Sequence, residues 1–201
     1  MKKKKDPIEI FRSHNGILRT SEALRLGIHP AHLYKLRDEG ILESLGRGVF
    51  RLAAMPDFSE PDLVLVAKRV PKAVICLISA LAYYELTSQI PHFVYLALPR
   101  TARMPKVGYP PLRCFWYSED AYKKGVETIS INGCSVKIYN IEKTLADCLK
   151  FRQKIGMDVV LEALKAYWKR GHANLDKLFE YAKICRVEKI LRPIIETIVS
   201  Q

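Results

Sequence analysis

The chain has 201 residues, of which 49% are hydrophobic and 27% charged, a balance typical of a folded, soluble protein. Its formal net charge of +12 favours a polyanionic partner, because each phosphate neutralised by Lys or Arg releases counterions. The five cysteines have no zinc-ligand spacing, so we expect no metal, no cofactor and buried thiols. The sequence shows neither a secretory signal nor a run of ~18 apolar residues, which predicts a cytoplasmic protein without a membrane partner.

The first part of the chain predicts a basic tail, three short helices and a hairpin. Residues 1–5 form the tail, and Asp6-Pro7 then supplies an N-cap and a first-turn proline for a helix that ends at Asn15-Gly16. A second helix begins near Thr20 as its N-cap and runs to Gly27, and a third spans residues 30–39. Two β-prone runs, residues 41–45 and 49–52, flank Gly46-Arg47-Gly48 and predict a hairpin.

The second and third helices have the spacing of a helix-turn-helix. Ala23 is the small residue where the helices touch, and Gly27 supplies the positive φ of the tight turn. The expected packing residues follow at Ile28, Leu33 and Leu36. Together with the hairpin, this order predicts a winged helix-turn-helix over residues 6–55 that places its third helix in a DNA major groove.

The residues left on the outer surface of this domain are candidates for DNA contact. The third helix displays its polar face to base edges and phosphates, and the start of the second helix offers hydroxyls to a phosphate. An arginine between two glycines at the hairpin tip suits a minor groove or backbone contact. The candidate DNA-binding residues are Thr20, Ser21, Ala31, His32, Tyr34, Lys35, Arg37 and Arg47.

Residues 57–201 predict an α+β domain with a small, mainly antiparallel sheet and a C-terminal helical bundle. A capping box at residues 59–62 precedes a helix, and the apolar run 74–86 predicts a buried helix. Asn132-Gly133 is a strong hairpin signal. The predicted strands are 92–98, 112–117, 126–131 and 135–139, and the predicted helices that follow are 141–152, 157–169, 175–185 and 189–199.

A proline-rich stretch in this domain is basic and lacks acidic residues between Leu86 and Ser118. Long loops in compact domains are commonly functional or disordered. One interpretation is a basic platform that binds DNA or an acidic partner. The other is a mobile, solvated loop, and the sequence leaves both interpretations open. Its cations, the candidate partner or DNA surface, are Arg100, Arg103, Lys106 and Arg113.

The chain resembles the AbiEi family of bacterial antitoxins and transcriptional regulators from type IV toxin–antitoxin systems. The N-terminal resemblance rests on the helix-turn-helix order, especially residues 20–28, and on Leu45-Gly46-Arg47-Gly48-Val49-Phe50. The C-terminal resemblance rests on residues 79–82, on Tyr84-Glu85-Leu86, and on residues 141–147, where Lys143 replaces the usual Arg. The resemblance implies a winged helix that represses its own promoter and a C-terminal domain with antitoxin activity against a nucleotidyltransferase-like toxin.

We therefore expect a non-enzymatic DNA-binding regulator and antitoxin, monomeric in solution or dimeric on double-stranded DNA. Two alternatives stay open: a DNA-processing nuclease guided by the winged helix, and an adaptor whose winged helix binds protein. Metal-dependent nucleases need converging carboxylates with a nearby lysine. The nearest such sets are Glu119, Asp120 and Lys123, and Glu142, Asp147 and Lys150, which fall on predicted helices or turns.

Overall fold

The computed structural model describes residues 6–200, so the predicted basic tail, residues 1–5, lies outside the described residues. These residues form two compact units, one comprising 6–71 with 130–136 and the other comprising 72–129 with 137–200. Residues 57–71 thus group with the N-terminal unit. The functional division into 6–55 and 57–201 stays a prediction. The α+β fold class is confirmed.

The first unit has the element order of a winged helix-turn-helix. Its three strands form an antiparallel sheet in the order β1-β3-β2. β1 was not predicted, since three residues are too few for a period-2 pattern to show. The elements are α1 (Pro7–Ser13), β1 (Ile17–Arg19), α2 (Thr20–Arg25), α3 (Pro30–Asp38), β2 (Leu42–Gly46), β3 (Val49–Leu52) and α4 (Pro61–Arg69).

The helix starts in this unit follow the predicted caps in part. Asp6 caps α1, where its Oδ1 accepts a hydrogen bond from the backbone N–H of Ile8 over 3.1 Å. The N-cap of α2 is Arg19 rather than Thr20, and the Glu22 carboxylate accepts from the Arg19 backbone N–H over 2.8 Å. The predicted capping box at residues 59–62 is wrong: the N-cap of α4 is Glu60, which makes no side-chain cap hydrogen bond, and the Ser59 backbone N–H and hydroxyl both donate to Asn132 Oδ1.

Most of a five-stranded sheet, in the order β6-β5-β4-β8-β7 and covered by helices, belongs to the second unit, while the parts of β7 and β8 within residues 130–136 group with the first unit. The sheet was predicted to be mainly antiparallel. In the structure, β4 pairs with β5 in the antiparallel sense, whereas β5–β6 and β4–β8 are parallel pairs. The elements are β4 (Val74–Ile75), α5 (Leu77–Tyr83), β5 (Val94–Pro99), β6 (Leu112–Tyr117), α6 (Glu119–Lys123), β7 (Val126–Ile131), β8 (Cys134–Tyr139), α7 (Ile141–Lys150), α8 (Arg152–Ile155), α9 (Met157–Lys169), α10 (Leu175–Cys185) and α11 (Glu188–Val199).

The predicted buried helix over residues 74–86 is a strand followed by a helix. β4 occupies the centre of the sheet, and Leu77, with φ +48°, begins α5. A continuous apolar run does not distinguish a buried strand from a buried helix by periodicity, which explains the difference. Over residues 6–200, the helices are too short or too polar to cross a lipid bilayer.

Candidate nucleic-acid interface

The α2–α3 pair is held together by the predicted packing residues. Ala23, Ile28, Leu33 and Leu36 are all buried and belong to one apolar cluster with residues of α1 and the sheet. A helix buries one stripe of its surface when apolar residues recur at three- and four-residue steps. Burial of Leu33 and Leu36 therefore fixes which face of α3 remains outside.

Gly27 makes the tight turn that this packing requires. Its φ is +87°, a left-handed conformation that costs glycine little and other residues more. Its backbone N–H donates to the Leu24 carbonyl over 3.0 Å, and the next residue, Ile28, donates to the Ala23 carbonyl over 2.9 Å. The prediction that the turn sits at Gly27 is confirmed.

The outer face of α3 is open to solvent. Tyr34 is 47% exposed, and the Lys35 side chain is 68% exposed. The Tyr34 ring meets the Phe50 ring edge-on, with centroids 6.0 Å apart, and the Arg37 guanidinium lies 5.1 Å from the Tyr34 centroid. The exposed candidates on this helix are Ala31, His32, Tyr34, Lys35 and Arg37.

Acidic neighbours accompany the two cations of α3. Lys35 Nζ lies 3.7 Å from a Glu39 carboxylate oxygen, and Arg37 Nη2 lies 2.7 Å from Asp38 Oδ1. Exposed ion pairs of this kind contribute little to stability, and their side chains can be redirected to a stronger anion. The face is therefore close to neutral by itself, so the electrostatic attraction for a phosphate must come largely from outside α3.

The hairpin between β2 and β3 supplies one such cation. Arg47 is exposed at the tip, between Gly46 with φ +132° and Gly48 with φ +73°. The Thr20 backbone N–H donates to the Gly48 carbonyl over 2.9 Å, so the tip is joined to the start of α2. Thr20 is half-buried whereas Ser21 is exposed, so the Ser21 hydroxyl is the more accessible of the two predicted phosphate contacts at that helix start.

Comparison with known families gives a match for this part of the chain. Residues 5–53 match the family model described as "Transcriptional regulator, AbiEi antitoxin". The resemblance to AbiEi is confirmed over this segment. The segment contains every candidate DNA-binding residue of α2, α3 and the hairpin, from Thr20 to Arg47. No curated protein matches the chain.

The basic candidates outside the AbiEi-like segment lie in the second unit, around the loop from β5 to β6. All of them are exposed. Arg113 Nη1 donates to the Tyr95 hydroxyl over 3.3 Å, and its guanidinium lies 5.7 Å from the Tyr95 ring centroid. The indole Nε1 of Trp116 donates to the Ala102 carbonyl over 2.8 Å and so ties the loop to β6. These cations are Arg100, Arg103, Lys106 and Arg113.

A buried ion pair occupies the core of the second unit. The Lys143 ammonium donates to the Asp147 carboxylate, and both side chains are wholly buried. The Lys143 Nζ also lies 4.3 Å from the Tyr139 ring centroid and 4.9 Å from that of Tyr117. Burial raises the pKa of Asp147 above its ordinary value, although Lys143 and the Cys185 thiol act in the opposite direction. The sequence signal for this pair is weak, since it consists of a Lys and an Asp four residues apart on a helix.

The acid–acid–lysine sets weighed for nuclease chemistry occupy separate environments. Asp147 points into the core, whereas Glu142 binds Lys177 over 3.3 Å and accepts from the Tyr167 hydroxyl over 2.8 Å. Glu119 pairs with Lys123 on the surface. Within residues 6–200 we find no cluster of three or more side chains with the geometry to hold a metal ion.

Proposed function

We propose that the chain is a DNA-binding transcriptional regulator whose winged helix-turn-helix represses its own promoter. The observation that carries the proposal is that α3 has one buried face and one exposed face. Leu33 and Leu36 fix one face against the core, while His32, Tyr34 and Lys35 stand open on the other. An α-helix presented in this way fits the major groove of a DNA duplex.

The hairpin adds a further cation to those of α3. Arg47 projects from a tip anchored through backbone hydrogen bonds, so its side chain is available to a minor groove or a phosphate. The match of residues 5–53 to the AbiEi regulators also supports a role of this segment in transcriptional regulation. A single winged helix covers little DNA, so we expect a monomer in solution and two copies on repeated half-sites.

The test compares two variants of equal net charge. Lys35→Ala with Arg47→Ala removes two cations of the interface, and Lys183→Ala with Lys189→Ala removes two exposed cations elsewhere. On the promoter duplex, the first variant lowers the salt slope by about two and weakens binding at least about tenfold. The second keeps affinity within about threefold of the unaltered chain. Equal slopes for the two variants would refute the interface.

We further propose, from the AbiEi resemblance, that the cytoplasmic protein neutralises a nucleotidyltransferase-like toxin through the second unit. Coexpression with such a toxin from the neighbouring reading frame tests this role by growth rescue. The Lys35→Ala/Arg47→Ala variant rescues growth as well as the unaltered chain does, because antitoxicity does not use the DNA face. Loss of rescue in that variant contradicts the separation of roles.

The two alternatives are outcomes of the same experiments. A nuclease nicks plasmid DNA in the presence of Mg²⁺ or Mn²⁺, whereas a regulator leaves it intact. A winged-helix adaptor that binds protein alone shows no shift of the promoter duplex at any salt concentration. Either result replaces the regulatory proposal.

A further inference from the structure

The strand β6, Leu112–Tyr117, forms one edge of the five-stranded sheet, with β5 as its neighbour. It is six residues long and has no proline, and Arg113 is its only charge. Sheet edges in native proteins are ordinarily short, charged, bulged or covered, because their main-chain groups attract other strands. β6 has the ordinary length of a strand but lacks the proline and most of the charge that commonly protect such an edge.

The register identifies which main-chain groups of β6 point outward. The Val94 backbone N–H donates to the Pro111 carbonyl over 2.9 Å, and Val94 is aligned with Leu112 in the parallel pair. In a parallel ladder, alternate residues direct both N–H and C=O to the same neighbour. Residues 113, 115 and 117 therefore face β5. Leu112, Cys114 and Trp116 direct their main-chain groups away from the sheet, and within the described chain we find no partner for those groups.

The charge around this edge has one sign. No Asp or Glu occurs from Thr87 to Ser118, a stretch that contains all four exposed cations of the β5–β6 region. Arg113 is held beside the strand by its hydrogen bond to Tyr95. Acidic residues return only at Glu119, where Lys123 pairs with the carboxylate. An occupant of this edge therefore meets Arg113 on the strand, and the loop that Trp116 binds at Ala102 carries Arg100 and Arg103.

Apolar side chains are exposed on β6 and on the chain segments that precede and follow β5. Ile90 is 84% exposed and, with Phe93, precedes the Val94–Leu112 end. Met104 is 53% exposed in the loop that Trp116 binds, and Trp116 itself is 45% exposed. Exposed apolar groups that cluster around a polar edge are typical of surfaces that bind protein.

We propose that β6 binds an extended, acidic segment of a partner protein, which adds as a further strand to the sheet. An added strand satisfies the N–H and the C=O groups of Leu112, Cys114 and Trp116 together, and its alternate side chains contact the exposed apolar groups. A phosphate backbone satisfies the N–H groups alone. A second copy of this chain brings its own cations against Arg113, so the charge disfavours self-pairing. The inference is independent of the DNA-binding proposal.

The experiment titrates the full chain into a fluorescein-labelled peptide in which Glu and Val alternate. A peptide in which Lys replaces Glu is the charge control, and a version N-methylated at alternate amides is the strand-pairing control. The Glu peptide binds, and each control peptide binds at least about tenfold more weakly. Equal binding of the Glu and Lys peptides overturns the proposal.

Two matched variants at one position test the edge itself. Cys114→Pro removes an outward N–H and keeps the inward bonds of β6, a position where strands tolerate proline. Cys114→Val keeps the N–H. The proline variant weakens peptide binding at least about tenfold, whereas the valine variant stays within about threefold. Arg113→Glu weakens binding as well, and circular dichroism shows that each variant is folded. Unchanged binding in Cys114→Pro overturns the proposal.

Amide hydrogen exchange gives a readout that does not require a variant. The peptide slows exchange at Leu112, Cys114 and Trp116 and leaves the already bonded amides of residues 113 and 115 unchanged. Two results overturn the proposal: oligo(dT) displaces the peptide and binds more tightly without protecting these amides, or the chain dimerises through β6 in the absence of peptide. The first assigns the surface to single-stranded nucleic acid, and the second to a self-interface.

Discussion

The Arg69 guanidinium of α4 donates from Nη2 to the backbone carbonyl of Arg47 at the hairpin tip, over 3.2 Å. The neighbouring Gly46 leaves room for this approach, since a Cβ there would lie 2.3 Å from Arg69 Nη2. The tip is thus held through its main chain, while the Arg47 side chain remains exposed. A helix that the sequence assigns to the later domain therefore supports the candidate DNA interface.

Replacing Gly46 with alanine should loosen this support. The Cβ displaces the Arg69 guanidinium, and the positive φ adds backbone strain, of order 1–3 kcal/mol in all. We expect a lower melting temperature and weaker binding of the promoter duplex, although Arg47 is still present. Gly40→Ala is the matched control, because Gly40 also has a positive φ but no atom within 4 Å of the added Cβ. If both variants bind DNA equally well, the Arg69 contact does not position the tip.

Removing one partner of the buried Lys143–Asp147 pair should destabilise the second unit. Lys143→Ala leaves the Asp147 carboxylate buried without its cation, which costs about 3–5 kcal/mol. Urea unfolding monitored by circular dichroism measures the loss. Lys150→Ala, at an exposed position on the same helix, stays within about 0.5 kcal/mol of the unaltered protein.

A double variant distinguishes the cost of an unpaired buried charge from the cost of lost packing. Lys143→Met with Asp147→Leu removes both charges and keeps most of the volume, so it should be clearly more stable than Lys143→Ala. A double variant that is as unstable as Lys143→Ala would show that the loss arises from packing rather than from an unpaired charge.

The cysteines should differ in their reaction with a thiol reagent such as DTNB. Cys114 is partly exposed, whereas the other four are buried. Burial raises the pKa of the Cys185 thiol to about 12 and holds those of Cys76 and Cys148 well above the ordinary value, so their thiolates are scarce. We expect one fast-reacting thiol in the native protein and full reaction in urea. Cys114→Ser should abolish the fast phase; a fast phase that survives would place an accessible thiol elsewhere.

The sequence predicted the first unit more completely than the second. Ala23, Gly27 and Leu33 lie at fixed local offsets, and local offsets are what a sequence pattern records. The parallel pairing of β5 with β6 depends on where a long connection returns, which no local pattern records.

The polar contacts of the core were the least predictable. A Lys and an Asp four residues apart are typical of a solvated helix face, yet Lys143 and Asp147 are buried because α7 is surrounded by other elements of the core. The support of Arg47 by Arg69 joins residues that the sequence places in different domains. Such contacts follow from tertiary packing. The helices and hairpin of the candidate site were therefore predictable from sequence, whereas the contact by which Arg69 holds the hairpin tip was not.

Glu162 of α9 should make stability depend on pH in the acidic range. Its carboxylate accepts from the Ser88 backbone N–H and from the Thr87 hydroxyl, each over 2.8 Å. These hydrogen bonds lower the pKa of Glu162 below its ordinary 4.5. A carboxyl group with a lowered folded-state pKa stabilises the fold above the unfolded-state pKa, and this contribution is lost as the pH falls through the folded-state pKa.

Glu162→Gln should therefore lower the free energy of unfolding at pH 7 by no more than about 1 kcal/mol, since the group is largely solvated. The difference from the unaltered protein should shrink as the pH falls below 4.5, because both proteins then lack the charge. Urea unfolding at neutral and acidic pH measures it, with Glu196→Gln as the control at an exposed position on α11. A difference that stays constant between the two pH values would mean that the carboxylate charge does not hold residues 87–88 in place.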